Sequence, residues 1–368
     1  MAIDATENSN YKNPEVAHKL NSIQFCRAIA FLSVLMLHRV PSWDFFYIFQ
    51  YGKYGVMMFF IISGFIITFL NLNGKTESLK TFLLKRFIRI YPVYWLSTLV
   101  CVIVSVYNYY TGFTDWTPTL SLYVTEWIPT ITLLPTNNGL TINNVAWSLI
   151  YEIWYYLLFA FLIFHLKNKF IIGVFGYSYL IIIINTFFPS LLASRAFYVY
   201  WGIMFSTLNL FFIMGACIAY ILFERDKKHI ILCVMTFLCS AGFQVLFGYK
   251  KTLGEIGGVT TEILMLSLSL FIIIGTIYLE INKGLKFPSF FVYVGNMSYT
   301  LYLFHYVWVE IYRGIYGKLF PSVYKYSGME IASYYFTLII ICSVIYKYFE
   351  LPSNYFLRKK LIKNRLIK

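Results

Sequence analysis

Charge is scarce in this chain: only 12% of its 368 residues are Asp, Glu, Lys or Arg, against 59% hydrophobic and 21% aromatic, and its mean hydropathy is +0.67. So little polar surface excludes a soluble globule and leaves a polytopic membrane protein. Acidic residues are the scarcest, 16 against 30 basic, a net charge of +14. The basic residues lie in short segments between apolar runs instead of gathering on one soluble face, so they mark topology and exclude nucleic acid as a partner. The six cysteines fall mostly inside apolar runs without a C-x-x-C, and the five histidines show no H-E-x-x-H or other ligand spacing. Neither disulfides nor a metal is expected. Without a Gly/Ser linker or an internal repeat, the chain reads as one domain. No small-residue cleavage site follows the first apolar run, so the polar N-terminal residues are expected to be retained.

Apolar runs of about 20 residues predict ten helical spans at 21–40, 54–72, 90–108, 146–165, 170–188, 203–223, 230–248, 261–280, 289–312 and 331–349. The predicted fold is all-α, about ten transmembrane helices around a cavity open to the cytoplasm. A polar tail (1–19) precedes a membrane domain (20–350), and a basic tail (351–368) follows it. An even number of spans puts both termini on one side. If that side is the cytoplasm, its segments hold 21 Lys and Arg against 8 outside, which assigns both termini to the cytoplasm. None of the ten prolines falls mid-span; Pro92 sits near the start of span three. The long connection 109–145 has 37 residues and no Lys, Arg or His, but carries Phe113, Trp116, Tyr123 and Trp127. It reads either as an aromatic platform over the outer mouth of the cavity, suited to sugar rings, or as an interfacial belt.

Ionisable residues interrupt this apolar background at few places. In span one, Arg27 and His38 bracket ten uncharged residues; eleven steps of 100° bring both side chains to one helix face, about 16 Å apart along the axis. Intramembrane charge points to a water-accessible functional cavity; the alternative is that each residue snorkels to its own interface. Arg86 and Arg89, at i and i+3 just before span three, share a face and suit phosphate, or serve as positive-inside anchors. Glu152 lies about 9 Å along span four from its opening Trp147, at a depth the sequence predicts to be comparable to His38, where a carboxylate would orient an imidazole.

Span two holds Ser63-Gly64, which also reads as a site of close helix packing. Span nine holds Ser298, Tyr299 and a second imidazole, His305, as structural as it is catalytic in prospect. Ser63, Trp147, Ser298, Tyr299 and His305 are further cavity candidates.

Together these segments resemble the acyltransferase-3 family of integral membrane enzymes that acylate cell-surface glycans. The matching residues are Arg27 with His38 (R, ten residues, H), Arg86 with Arg89 (RxxR), Gly55 through Phe65 (G, then FFxxSGF), Trp147-Ser148-Leu149 with Glu152, and Ser298-Tyr299 with Leu303 and His305. They recur in family order from about residue 20 to 350. Val56-Met57-Met58 departs from the family, which often has an acidic residue after the glycine. Ending at Lys368, the chain is expected to be the stand-alone type, without a fused extracellular domain.

The resemblance implies transfer of an acyl group, most often acetyl, from cytoplasmic acyl-coenzyme A to a saccharide or lipid-linked glycan outside a bacterial cytoplasmic (inner) membrane. Acetyl-coenzyme A is then the donor, held by Arg27, Arg86 and Arg89, with His38 as general base or acyl carrier and Glu152 orienting it. The expected partners are the glycan acceptor and membrane lipids, with a homo-oligomer left open. A transporter or flippase for a glycolipid or exopolysaccharide precursor is the competing class, and an assembly partner in an export complex a third. A reporter fused after Lys368 is expected to sit in the cytoplasm and one within 115–140 outside. An external C-terminus would overturn the ten-span topology.

Overall fold

The computed structural model describes residues 20–39, 52–73, 78–111, 126–136, 141–189, 195–224, 227–251, 258–319 and 328–363. Among them there is no strand, and the protein is an all-α polytopic membrane protein. Eight helical stretches are long and apolar enough to cross a membrane, and they coincide with eight of the ten predicted spans. The other two differ in form. The first, α1 (Asn21–Arg39), has a shorter apolar run, and the ninth is broken. After α1 come α2 (Lys53–Leu72), α3 (Leu79–Thr111), the short α4 (Trp127–Thr132), α5 (Trp147–Phe161, extended by a π-turn to Leu166) and α6 (Phe170–Phe187).

Span six is two helices, α7 (Arg195–Met204) and α8 (Asn209–Phe223). The Asn209 amide closes the break by donating to the carbonyls of Ile203 at 2.7 Å and Met204 at 3.0 Å. The chain continues through α9 (Lys227–Lys251) and α10 (Gly258–Lys283). Span nine is α11 (Ser289–Asn296) and α12 (Ser298–Leu319), interrupted at Met297. The last span, α13 (Gly328–Ile345), passes through a π-turn (Tyr346–Glu350) into α14 (Leu351–Lys363). Residues 351–363, read from sequence as part of a tail, therefore continue the helix, and α14 packs on α3. Hydropathy ended that span at the first clustered charges, whereas backbone hydrogen bonding runs on beyond them.

Span three also begins earlier than its apolar run. Helix α3 starts at Leu79, so Arg86 and Arg89 stand inside it and Pro92 lies in its interior, not at its end. A proline there removes one i to i−4 bond, which a membrane helix tolerates when its neighbours compensate.

The centre of the bundle is α8, buried from Asn209 to Tyr220, with α2 and α9 against it and α1 packed on α2. Contact between α8 and α2 is close because neither has a side chain at the crossing. A Cβ on Gly215 would lie 1.9 Å from the Ile61 carbonyl, and one on Gly64 would lie 2.0 Å from that of Phe212. The start of α1 is held from another direction: the Glu280 carboxylate of α10 accepts from the backbone amides of Asn21 and Ser22, both at 2.9 Å, satisfying two of the otherwise unpaired donors of a helix N-terminus.

Part of the long connection, residues 126–136 and 141–145, is described. Its helix α4 lies along the middle of α3, where Tyr91, Tyr94 and Trp95 donate to the carbonyls of Thr132, Thr130 and Ile131 at 2.8, 2.5 and 2.9 Å. Trp95 is sixteen residues, about 24 Å of helix, short of the end of α3 at Thr111. Asn143 farther along is buried and donates to Ser97 Oγ at 3.1 Å. Trp127 is 53% exposed on the outer face of α4, while Phe113, Trp116 and Tyr123 lie outside the described residues.

The helix contacts generate a prediction. Gly215→Ala should cost about 1–3 kcal/mol by forcing α2 and α8 apart. Gly275→Ala, with nothing within 4 Å of its Cβ, should be neutral or slightly stabilising. Thermal unfolding in detergent distinguishes them, and equal melting temperatures would contradict this account of the α2–α8 contact.

Candidate active site

Three guanidinium groups reach one interior cavity. Arg27 comes from α1, two turns above the Glu280 cap; Arg86 and Arg89 come from successive turns of α3. The cavity has about 50 Å³ of free volume, room for three to five waters. Its walls are completed by Ser63 of α2, Ser148, Glu152 and Tyr156 of α5, and Ser298, Tyr299 and Tyr302 of α12.

The arginines are seated differently. Arg27 donates to Gln24 Oε1 at 3.4 Å one turn earlier. That turn is fixed by α11, where a Cβ on Gly295 would lie 1.8 Å from the Gln24 carbonyl. Arg86 is sandwiched between the rings of Phe82 and Tyr156, 5.2 and 5.1 Å from their centroids, an arrangement worth more in a desolvated site than in water. Its Nε is buried and has no hydrogen-bond partner. An unsatisfied cationic donor facing a polar cavity is suited to an oxyanion.

Glu152 supplies the counter-charge on the cavity wall. Its Oε1 accepts from Ser63 Oγ at 3.3 Å and, in a short bond, from Tyr156 OH. It acts electrostatically on both Arg27 and Arg86. Ser63-Gly64 thus fulfils both roles the sequence suggested, with Ser63 facing Glu152 and Gly64 seating α8. On the facing wall, Tyr302 and Ser148 share a 2.8 Å hydrogen bond, and Tyr299 OH donates to the Ile90 carbonyl at 2.8 Å, tying α12 to α3 beside Arg89. Ser298 Oγ, at the first residue of α12, is buried without a partner.

The residues singled out from sequence therefore divide. Arg27, Arg86, Arg89, Glu152, Ser63, Ser298 and Tyr299 share the cavity. Trp147, 37% exposed, packs edge-on against Tyr151 outside it. His305 is buried one layer away, its Nδ1 2.7 Å from the Tyr302 carbonyl and its ring edge-on to Phe31. His38 belongs to the last turn of α1, but its side chain lies outside the described residues. Glu152 shares the cavity with Arg27, and its described hydrogen-bond partners are Ser63 and Tyr156.

Three residues escaped the sequence reading: Tyr156, Tyr302 and Glu350. The first two were legible as i+4 neighbours of Glu152 and Ser298. Glu350 is the sole acid between Ile331 and Lys363, one residue beyond the predicted end of span ten. It is 7% exposed, accepts a short hydrogen bond from Thr300 Oγ1, and acts electrostatically on Arg27 and Arg89.

A family model described as "Acyltransferase domain" matches residues 20–348. Among characterised proteins, the chain is 34% identical over 90 residues to the peptidoglycan O-acetyltransferase OatA of Listeria monocytogenes, an alignment covering 23% of this chain and 14% of that protein. The chain thus aligns with a small part of that relative's length. No solved structure matches it. With nearly the whole membrane domain matched and its polar residues gathered in one cavity, the chain belongs to the acyltransferase-3 family of membrane O-acyltransferases.

Proposed function

We propose that the protein transfers an acyl group, in the first instance acetyl, from cytoplasmic acyl-coenzyme A to a hydroxyl of a saccharide or lipid-linked glycan on the outer side of a bacterial cytoplasmic membrane. The observation that carries this reading is the convergence of Arg27, Arg86 and Arg89 on one cavity, with the Arg86 Nε left without a partner. Guanidinium forks complement phosphate oxygens, and coenzyme A presents both a diphosphate and a monophosphate. The free volume of about 50 Å³ holds waters, not a pantetheine arm, so donor binding requires these side chains to part.

In this reading the phosphates stay at the arginines and the acyl-thioester extends along α1 toward His38, about 16 Å farther on. His38 takes the proton of the sugar hydroxyl as the oxygen attacks the thioester carbonyl. The carbon–sulfur bond breaks, and the departing thiolate receives that proton back. Glu152, hydrogen-bonded by Ser63 and Tyr156, holds the donor-site cations in place.

Sealed vesicles given labelled acetyl-coenzyme A on the cytoplasmic face alone should acylate saccharide on the opposite face. His38→Ala should abolish this with donor binding nearly intact, because loss of a general base strikes the chemical step. Label retained on the wild-type protein without acceptor would instead make His38 an acyl carrier. A wild type that moves glycan without modifying it, or a His38→Ala variant at normal rate, would overturn the enzyme reading.

For the donor site, Arg86→Ala and Arg89→Ala should each weaken acyl-coenzyme A binding about tenfold or more, the loss expected for a charged hydrogen bond. Lys85→Ala, which does not line the cavity, should change little. Equal effects of all three would make the cluster a topological anchor.

A further inference from the structure

Between α13 and α14 the helix is distorted where Glu350 stands. Pro352 has no amide proton for the carbonyl of Tyr348 and its ring crowds that carbonyl, so the backbone widens into the π-turn Tyr346–Glu350. The turn packs against α3 and leaves Glu350 buried at its end. Thr300 donates to it from α12, and the adjacent Tyr299 is bonded to the Ile90 carbonyl, beside Arg89.

Glu350 is not among the residues that line the cavity. It sits behind the cavity wall, held by Thr300 next to the lining residue Tyr299, and acts on Arg27 and Arg89 through its charge. Its effect is on charge: three arginines against Glu152 alone would leave two net positive charges, 3 − 1, and a Glu350 kept ionised by the Thr300 hydrogen bond would leave one, 3 − 2. A site with excess cations binds donor and spent coenzyme A alike, and such uniform binding adds nothing to the chemical step while slowing product release.

We infer that Glu350 is a positioning residue that tempers the charge of the donor site, so that coenzyme A is released after its acyl group has left. This rests on the donor reading above. Glu350→Gln keeps the shape and an acceptor for Thr300 but removes the charge. It should bind free coenzyme A about fivefold or more tighter than wild type, with kcat and KM for acetyl-coenzyme A both lowered and product inhibition strengthened. Glu350→Asp, which keeps the charge, should restore turnover. Thr300→Val, which withdraws the donor that stabilises the anion, should shift coenzyme A affinity in the same direction by a smaller factor.

A merely structural Glu350 would weaken coenzyme A binding and lower the melting temperature together. Coenzyme A affinities in Glu350→Gln and Thr300→Val that are unchanged or weaker would overturn the inference; if Glu350→Gln does not accumulate, Thr300→Val alone decides it. A wild type that does not bind coenzyme A at all would instead overturn the donor reading.

Discussion

Holding three guanidinium groups inside a membrane-spanning bundle is the constraint to which the rest of this structure answers. A cation there is costly unless it is paired or facing water, and each arginine meets that cost differently. Arg27 has Gln24, Arg86 has two aromatic faces, and the carboxylates of Glu152 and Glu350 act on the cluster through their charge. The packing that fixes these positions is made where side chains are absent. Gly295 lets α11 press on the turn that carries Gln24, and Gly64 with Gly215 lets α2 and α8 close to backbone contact. With those helices seated, Ser63 meets Glu152 and the cavity has defined walls.

The seating of α4 against α3 gives the composition of the long connection a second meaning. A stretch without Lys, Arg or His suits a sugar platform, but it equally suits a segment lying at membrane depth, where an unpaired cation would be expensive. Backbone polar groups at that depth must be satisfied by protein. Here Tyr91, Tyr94 and Trp95 supply donors to three successive carbonyls of α4 and the turn around it. The same residues of α3 that read as an aromatic stripe are thus the mould for the loop.

Acyl transfer of the kind proposed separates binding from chemistry along α1. The cations gather at Arg27, while His38 lies about three turns on, so a donor held by its phosphates is long enough to reach what its binding site does not touch. Glu152 lines the cavity that the three arginines share. Its hydrogen bonds to Ser63 and Tyr156 hold a negative charge where the cations converge, and nothing in that role requires contact with the acceptor.

The membrane class, most of the spans and the arginine motifs were legible in sequence because hydropathy and helical spacing are local properties. The i, i+3 pair Arg86 and Arg89 was placed on one face without any tertiary information. What sequence reading missed was set by contacts distant in the chain. Helix α3 begins eleven residues before its apolar run, because hydrogen bonding continues where hydropathy falls. Helix α4 lies beside the middle of α3 because Tyr91, Tyr94 and Trp95 there donate to its carbonyls. Glu350 reaches Arg27, 323 positions earlier in the chain, only because a proline widens the last helix and α12 offers Thr300 beside it. Local periodicity determined which residues share a helix face; which helix that face meets was decided by packing, where glycine-sized gaps and buried charge admit few arrangements.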